Sequence, residues 1–368
     1  MLRNHTINII LLMCSLILIF LAIESFYRIF DPFPYFGENE INKTEHGNLL
    51  EYDPLVGWRG IPKNQTYYIT QNAKIAVKHN QYGFRDIEPP SPKSPKPGIV
   101  FLGDSFTWGY EVEFEDMYIN LLRKALPYFD IYNISHRGFG TDQELIVFKH
   151  LNFLHKIKLV VLAFCENDIE DNNSNFRYKK NKPQYKYVDG NLVLSGTPVM
   201  KQIEWADTSS TDINVSHVKV ILKKFLFNSH FLHDLYFRYK NIRYPYQKKS
   251  SVNKTSASLV ITHKILNELK STVEKKGAKL LIVLIPSKSE IEKIDHYIPY
   301  QNDIIKICSD LNIQHLDLAP YFEKKLWRTY YRIGMHWNAR GHQVAAKAIM
   351  DRLNTIDEFR KFNSALSR

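Results

Sequence analysis

The sequence has few cysteines, glycines and prolines, and each shortage excludes a class of protein. Among its 368 residues, the 3 Cys are too few for a disulfide scaffold. The 15 Gly and 16 Pro exclude a collagen-like chain and a low-complexity linker. With 24% charged and 44% hydrophobic residues, neither a fully disordered chain nor a polytopic membrane protein is expected. The length allows two or three domains, or one enlarged α/β domain.

The sequence also lacks the patterns expected of a metalloprotein or a nucleic-acid-binding protein. Its 14 His and its carboxylates show no ligand spacing, so we expect neither a metal nor another cofactor. The formal net charge is +11, from 49 Lys and Arg against 38 Asp and Glu. That excess suits either an anionic partner, such as anionic lipid or an acidic envelope polymer, or a basic solvated surface. Because the basic residues are scattered, with no contiguous basic helix, we favour the solvated surface and expect no nucleic-acid partner.

One long apolar run is present, and it lies at the N-terminus. Residues 9–23 carry no charge, and the run reaches roughly the length of a bilayer span when it is taken as residues 7–27. A cleaved signal peptide is the alternative, but no small-residue cleavage site follows the run. We therefore predict a single-pass membrane anchor with Tyr27 and Arg28 at the interface. Arg3 favours a cytoplasmic N-terminus, which places the remainder in the periplasm or at the cell surface.

Two regions follow the anchor, and a change of pattern separates them. Residues 28–97 are proline-rich and irregular, and we interpret them as a stalk leading into a β-rich extension, with a hairpin formed by residues 67–70 and 74–77. From residue 98 to residue 356, short apolar runs alternate with segments of helical periodicity. The five predicted strands span 98–102, 131–134, 159–164, 280–285 and 313–316. This alternation predicts an α/β fold, a three-layer α/β/α sandwich around a mostly parallel five-stranded sheet, with an insertion at 172–258 and a tail at 357–368.

Four residues suited to ester chemistry lie where a parallel sheet places its ligand site, beyond the carboxyl ends of the strands. Ser105, Gly138 and Asn167 follow the first three strands, and His336 precedes the last helix. A serine hydroxyl becomes nucleophilic when a histidine removes its proton. Backbone N–H groups and a side-chain amide are donors suited to the oxyanion of a tetrahedral intermediate. Each motif alone is a weak signal, and their shared order and placement carry the prediction.

In this order, the four residues resemble the four sequence blocks of the SGNH hydrolases, also called GDSL-type esterases and lipases. The resemblance covers about residues 98–354 without the insertion. It implies that Ser105 is the nucleophile and that His336 is the general base. It also implies that Gly138 and Asn167 join the Ser105 amide in an oxyanion hole. The Gly-x-Ser-x-Gly signature of the α/β-hydrolases is absent around Ser105, which argues against that fold.

Shorter motifs extend the resemblance to membrane-anchored bacterial envelope members of the family. Residues 138–143 are similar to the second block of that subgroup, and the triplets at 57–59 and 83–85 are similar to its upstream motifs. Cys165 stands where the family usually has Gly. We interpret Cys165 and Cys308 as buried free thiols, since both lie in apolar, strand-like contexts.

The carboxylate that normally orients the catalytic histidine of this family is missing. The family places an Asp two or three residues before the histidine, where this chain has Gly334 and Ile333. In a serine-protease triad, replacing the equivalent Asp lowers turnover about 10⁴-fold. Asp317, just after the fifth strand, is a candidate replacement, and it equally suits the turn before Pro320. A Ser–His dyad held by a backbone carbonyl, or a weak or inactive site, are the other possibilities.

Together these features favour an envelope-anchored ester hydrolase that forms an acyl-serine and acts on O-acyl groups of envelope or extracellular carbohydrate. The first alternative is an O-acyltransferase, which would pass the acyl group from the same serine to a sugar hydroxyl while water is excluded. The second is a catalytically weak or inactive glycan-binding protein. The Lys- and Tyr-rich stretch at 178–187 is interpreted as a solvated loop, with glycan binding as its alternative. The expected partners are a small ester or O-acylated carbohydrate and the membrane, and the oligomeric state stays open.

Overall fold

The computed structural model describes residues 2–30, 43–70, 72–202, 229–243, 255–292, 299–325, 327–332 and 334–356. At its centre is a five-stranded sheet in which every neighbouring pair is parallel. In spatial order the strands are Gln314–Asp317, Lys279–Leu284, Ile157–Phe164, Gly98–Gly103 and Asp130–Ser135. The five strands predicted from the sequence are therefore confirmed, with ends that differ by two residues at most.

Helices cover both faces of the sheet because its strands are apolar on both sides. In the strand Gly98–Gly103, Val100 and Leu102 lie in one core, whereas Ile99 and Phe101 lie in the other. The helices of the first core are Thr141–His150, Ser256–Lys275 and Gln301–Asp310, and those of the second are Tyr118–Ala125, Ala319–Glu323 and Ala339–Asn354. The other described α-helices are Leu2–Phe30, Ser105–Trp108, Asp168–Asp171, His230–Arg243 and Lys288–Ile291. The predicted α/β/α sandwich is confirmed.

The N-terminal extension is folded from residue 43 onward and shares a core with the central sheet. Trp58, Tyr68 and Phe84 are all buried in the same cluster as Leu102 of the central sheet. The short strands of this region are Lys43–Thr44, Leu50–Asp53, Gly57–Gly60, Gln65–Ile69 and Lys74–Lys78. The last two pair antiparallel, which confirms the predicted hairpin. These strands agree with the expected β-rich extension, and their buried aromatic side chains pack it onto the central sheet.

The insertion is described in part, and it begins with two hairpins. Their strands are Phe176–Arg177 with Lys180–Asn181, and Gln184–Val188 with Asn191–Ser195. The sequence Asp189-Gly190-Asn191 favours a hairpin turn, and the second hairpin confirms it, because Asp189 and Gly190 both have positive φ (47° and 84°), as a type I′ turn requires. Residues 218–239 have Phe and Leu at helical spacing, and the helix His230–Arg243 overlaps this stretch, of which residues 218–228 lie outside the described residues. The tail at 357–368 also lies outside them.

The apolar N-terminal run forms a single helix of 29 residues, Leu2–Phe30. Between His5 and Phe30 it contains a window with a mean hydropathy of 2.8 in which no residue is buried inside the protein. Its length and composition suit a membrane-spanning helix, and signal sequences share these properties.

Candidate active site

The three strands that precede Ser105, Gly138 and Asn167 end at the same level of the sheet. Gly103, the last residue of its strand, is paired with Ser135, the last residue of the neighbouring strand. The strand Ile157–Phe164 lies on the other side in the same parallel register. The sheet therefore brings the three residues to one edge, as the sequence predicted from their positions.

Ser105 is the first residue of the short helix Ser105–Trp108. The carboxylate of Asp104 caps this helix by accepting the N–H of Phe106 at 2.9 Å. The Oγ of Ser105 lies 2.8 Å from Nε2 of His336, across more than two hundred residues of chain. At this distance the imidazole can accept the proton of the serine hydroxyl. The predicted pair is thus brought into direct contact.

The residues after His336 fix the segment on which it lies. Trp337 is buried against Phe106, with ring centroids 4.9 Å apart. Asn338 caps the helix Ala339–Asn354 by accepting the N–H of Gly341 at 3.1 Å. The motif that contains the histidine therefore combines a packing anchor with a helix cap, and both limit the movement of the imidazole.

The imidazole of His336 lies in an aromatic pocket next to a cation. Its ring centroid is 4.3 Å from that of Tyr110 and 5.1 Å from that of Phe106. Burial lowers the pKa of His336 to about 3, and the positive charge of Arg137 acts in the same direction. The ring is therefore neutral at physiological pH, which is the form that a general base needs.

A carboxylate lies on the far side of the imidazole, and it is that of Glu111. Its Oε2 is 4.0 Å from Nδ1 of His336, the ring nitrogen that does not face Ser105. The other oxygen, Oε1, accepts a hydrogen bond of 2.8 Å from the amide of Asn72. Within the described residues, Oε2 is buried and has no hydrogen-bond partner. Burial raises the pKa of Glu111 to about 7, and the bond from Asn72 acts against this rise.

The backbone at Glu111 has a conformation that the surrounding structure enforces. Its φ of 69° is uncommon for a residue other than glycine. The hydroxyl of Tyr331 donates to the carbonyl of Glu111 at 2.7 Å. The guanidinium of Arg85, which is fully buried, donates to the carbonyls of Gly109 at 2.6 Å and Val112 at 2.9 Å. Arg85, for which the sequence suggested no role, therefore holds the turn that carries Glu111.

Asp317, the orienting carboxylate suggested by the sequence, has a different role in the structure. Its Oδ1 accepts the N–H of Ala319 at 3.0 Å, at the start of the helix Ala319–Glu323. This is the capping role that the sequence equally suited, and the carboxylate beside His336 is that of Glu111. The only sequence signal for Glu111 is its position in the loop after Ser105, since nothing in its local pattern marks a contact with a histidine 225 residues away.

Two other residues were predicted for the oxyanion hole. Gly138 lies next to the insertion, and Asn167 precedes a short helix. Gly138 has a φ of 72°, and a Cβ at this position would lie 2.4 Å from the ring of Tyr178. Tyr178 comes from the first hairpin of the insertion and is 65% exposed. Asn167 precedes the helix Asp168–Asp171, and its Nδ2 donates to Asp171 Oδ2 at 2.9 Å, which fixes the orientation of the amide. The insertion therefore reaches the edge of the site.

A cluster of buried acids lies behind the serine. Burial raises the pKa values of Glu144 and Asp168 well above the usual range, and neighbouring carboxylates add to the effect. Burial also raises the pKa of Asp104 to about 6. The thiol of Cys165 contacts Asp104, and both Cys165 and Cys308 are buried and free, as predicted. No group of three His, Cys, Asp or Glu side chains within the described residues is arranged to hold a metal ion.

One buried cation neutralises part of this cluster and joins it to the insertion. Lys182 is fully buried, and its ammonium forms an ion pair with the equally buried carboxylate of Asp142. The same ammonium donates to the backbone carbonyls of Asp171 and Ser174, each at 2.9 Å. The insertion is thus fixed to the helix Thr141–His150, which follows Gly138.

We expect Lys182→Met to lower the free energy of unfolding by about 3–5 kcal/mol, because it leaves the charge of Asp142 buried without its partner. Urea unfolding followed by circular dichroism measures this loss. Lys186→Met is the matched control, since Lys186 is exposed on the second hairpin of the insertion and its replacement should change stability by less than about 0.5 kcal/mol. Equal unfolding midpoints for the two variants would show that the buried pair does not stabilise the fold.

The parallel sheet, with a serine and a histidine in contact at its carboxyl edge, defines an α/β/α protein with a candidate Ser–His site. Residues 245–364 match the family model described as "SGNH hydrolase-like domain, acetyltransferase AlgX". No curated protein matches the chain by sequence.

Three solved structures illustrate the similarity to known proteins. A lipolytic protein of the G-D-S-L family from Veillonella parvula DSM 2008 is 11% identical, with a TM-score of 0.39. The match covers 70% of this chain and 97% of the other. The psychrotrophic esterase EstA from Pseudoalteromonas sp. is 11% identical, with coverages of 71% and 98% and a TM-score of 0.40. The acetyl xylan esterase AlAXEase is 15% identical, with coverages of 69% and 98% and a TM-score of 0.37.

Proposed function

We propose that this protein is a serine-dependent enzyme of ester chemistry that forms an acyl-serine at Ser105. The observation that carries the proposal is the 2.8 Å contact between Ser105 Oγ and His336 Nε2 at the carboxyl edge of the sheet. The enzyme is attached to the membrane through the helix Leu2–Phe30, and its catalytic domain lies outside the cytoplasm. Its substrates are O-acyl groups of envelope or extracellular carbohydrate.

The reaction proceeds in two steps that use the same two side chains. Ser105 Oγ attacks the ester carbonyl carbon while His336 Nε2 takes the hydroxyl proton. The tetrahedral intermediate then collapses, its bond to the alcohol oxygen breaks, and His336 returns the proton to the departing alcohol. In the second step, an acceptor hydroxyl gives its proton to His336 and attacks the acyl carbon. The bond from that carbon to Ser105 Oγ then breaks, and His336 returns the proton to the serine oxygen.

Glu111 is the group that stabilises the imidazolium of His336 during each proton transfer. Its Oε2, which has no hydrogen-bond partner among the described residues, lies 4.0 Å from Nδ1, so a small movement in the substrate complex makes the hydrogen bond. A carboxylate in this place selects the tautomer with the proton on Nδ1, which leaves Nε2 free to act as the base. The family's missing Asp is thereby replaced from the loop that follows the nucleophile.

Charge on the intermediate is stabilised by three donors that come from three strand ends. They are the N–H groups of Ser105 and Gly138 and the side-chain amide of Asn167, whose orientation the bond to Asp171 fixes. Losing one such donor lowers turnover by about 10²–10³-fold in a serine protease. Beside them, the exposed ring of Tyr178 offers an apolar face on which a sugar ring can rest.

An O-acyltransferase is the second candidate, and the family match favours it. The model that matches residues 245–364 carries an acetyltransferase in its description. Transfer uses the same acyl-serine and differs only in the acceptor, a sugar hydroxyl instead of water. The hydrolase and the transferase therefore share every residue assigned above.

One experiment tests the acyl-serine and separates the two acceptors. The full-length protein in nanodiscs is given p-nitrophenyl acetate, with and without a neutral oligosaccharide, and the sugar is analysed by mass spectrometry. Acetate release that the sugar does not change indicates a hydrolase, and acetylated sugar indicates a transferase. A folded protein that gives neither product and is not labelled by a fluorophosphonate would contradict the proposal.

A further inference from the structure

The membrane-proximal end of the N-terminal helix is bound to the rest of the protein through a buried acid. Glu24 is the one acidic residue of the helix Leu2–Phe30, and it is 8% exposed. Its carboxylate accepts the N–H groups of His230 and Phe231, each at 3.0 Å, and the hydroxyl of Ser229 at 2.8 Å. It therefore caps the helix His230–Arg243 and satisfies two N–H groups that have no partner within that helix.

Aromatic contacts continue this interface along one face of the N-terminal helix. The hydroxyl of Tyr27 donates to Asp234 Oδ2 at 2.9 Å. The ring of Phe231 packs against Tyr27 and Phe20, with centroids 5.7 Å and 6.1 Å away. Polar and apolar contacts thus both hold the two helices together. A helix that served only as a flexible tether would not need these contacts.

The segment that carries the catalytic histidine contacts the same helix on both sides of His336. Arg332 lies over the ring of Tyr27, 5.3 Å from its centroid, and donates to the carbonyl of His230 at 2.9 Å. Arg340 donates to the carbonyl of Phe30 at 2.8 Å. Each arginine is four residues from His336, a stretch of chain that spans at most about 14 Å when extended. The histidine is therefore a short distance from the end of the helix.

We propose that the helix Leu2–Phe30 is retained in the working enzyme as a fixed anchor, which holds the Ser105–His336 site at the bilayer surface. The substrate class that fits this arrangement is an O-acyl ester on an amphiphile embedded in the membrane, such as a lipid-linked saccharide. The chemistry rests on the proposed function, whereas the docking of the helix does not. Cleavage after the apolar run would remove the acceptor of the partly buried His230 and Phe231 amides, which would leave both donors without a protein partner.

Hydrogen exchange of the full-length protein in nanodiscs tests the docking without reference to activity. We expect the backbone amides of residues 230–231 to be protected in the parent and to exchange at least tenfold faster in Glu24→Ala. Ser15→Ala is the matched control, because Ser15 is exposed on the same helix and its hydroxyl donates to Leu11 of that helix. Equal exchange in the parent and in Glu24→Ala would overturn the proposal.

Paired esters test the position of the site. One is umbelliferyl acetate in water, and the other is an umbelliferyl acetate whose hexadecyl chain places it in the nanodisc bilayer. In Arg340→Gln we expect kcat/KM for the bilayer ester to fall at least tenfold and that for the soluble ester to change less than threefold. Arg352→Gln on the same helix is the control, since Arg352 bonds within its own helix end.

The outcomes of the two tests are separable. An equal change for both esters in Arg340→Gln would overturn the surface position of the site. If the parent hydrolyses neither ester, the proposed function fails, while the exchange experiment still decides whether the helix is docked.

Discussion

Replacing Ser105 with Ala should abolish covalent labelling by a fluorophosphonate and lower ester turnover by about 10⁴–10⁶-fold. In a serine protease, loss of the serine or of the histidine costs on the order of 10⁶ in turnover, because neither works without the other. Here Ser105 Oγ is 2.8 Å from His336 Nε2, so His336→Ala should cause a loss of similar size. Initial rates with p-nitrophenyl acetate and labelling followed by mass spectrometry measure both effects.

Two control variants show whether these losses are specific. Ser309→Ala removes an exposed hydroxyl that donates to a carbonyl of its own helix, and His150→Ala removes an exposed imidazole at a helix end. Both should keep turnover within twofold of the parent. Labelling at a residue other than Ser105, or turnover that survives in the folded Ser105→Ala protein, would refute the assignment of the nucleophile.

The sequence was sufficient to predict the sheet and the position of three motif residues at one edge of it, because both depend on local pattern. Short apolar runs such as 98–102 can be recognised as buried strands, and parallel strands end at one edge wherever the register allows it. The pairing of Gly103 with Ser135 provides that register. Ser105 and Gly138 therefore had to be close in space once the strands were identified.

The group beside His336 could not be predicted, because it depends on tertiary packing alone. Glu111 lies in a turn with positive φ, which nothing in the local sequence indicates for a glutamate. The turn is held by Arg85 from the N-terminal extension, and the carboxylate is positioned by Asn72 from the same region. Asp317, chosen from its position after a strand, instead accepts the N–H of Ala319 in the turn before Pro320. The region interpreted as a stalk leading into a β-rich extension thus supplies the supports of the candidate site.

We expect Glu111→Gln to lower turnover by about 10²–10⁴-fold while the protein stays folded. A glutamine still accepts the bond from Asn72, but its amide facing His336 Nδ1 favours the tautomer that protonates Nε2, as the equivalent change does in a serine protease. The parent should gain activity as the pH rises through about 7, where Glu111 ionises, and the variant should lack this rise. Rates measured across pH on the full-length protein test both expectations. Asp317→Asn should leave the rate within twofold, and so should Glu115→Gln, which removes an exposed acid nearby.

The same substitution should make the protein more stable in mildly alkaline solution, which separates a role in catalysis from a role in folding. Burial raises the pKa of Glu111 from 4.5 to about 7, so the folded state loses stability as the pH rises between these values. Above a pH of about 7, the ionised carboxylate lowers the free energy of unfolding by about 3 kcal/mol. A neutral glutamine carries no such cost. Urea unfolding at a pH of about 8 should therefore show a higher midpoint for Glu111→Gln than for the parent. A variant with lower stability and a parental pH profile would show that Glu111 supports the fold and leaves His336 to act in a dyad.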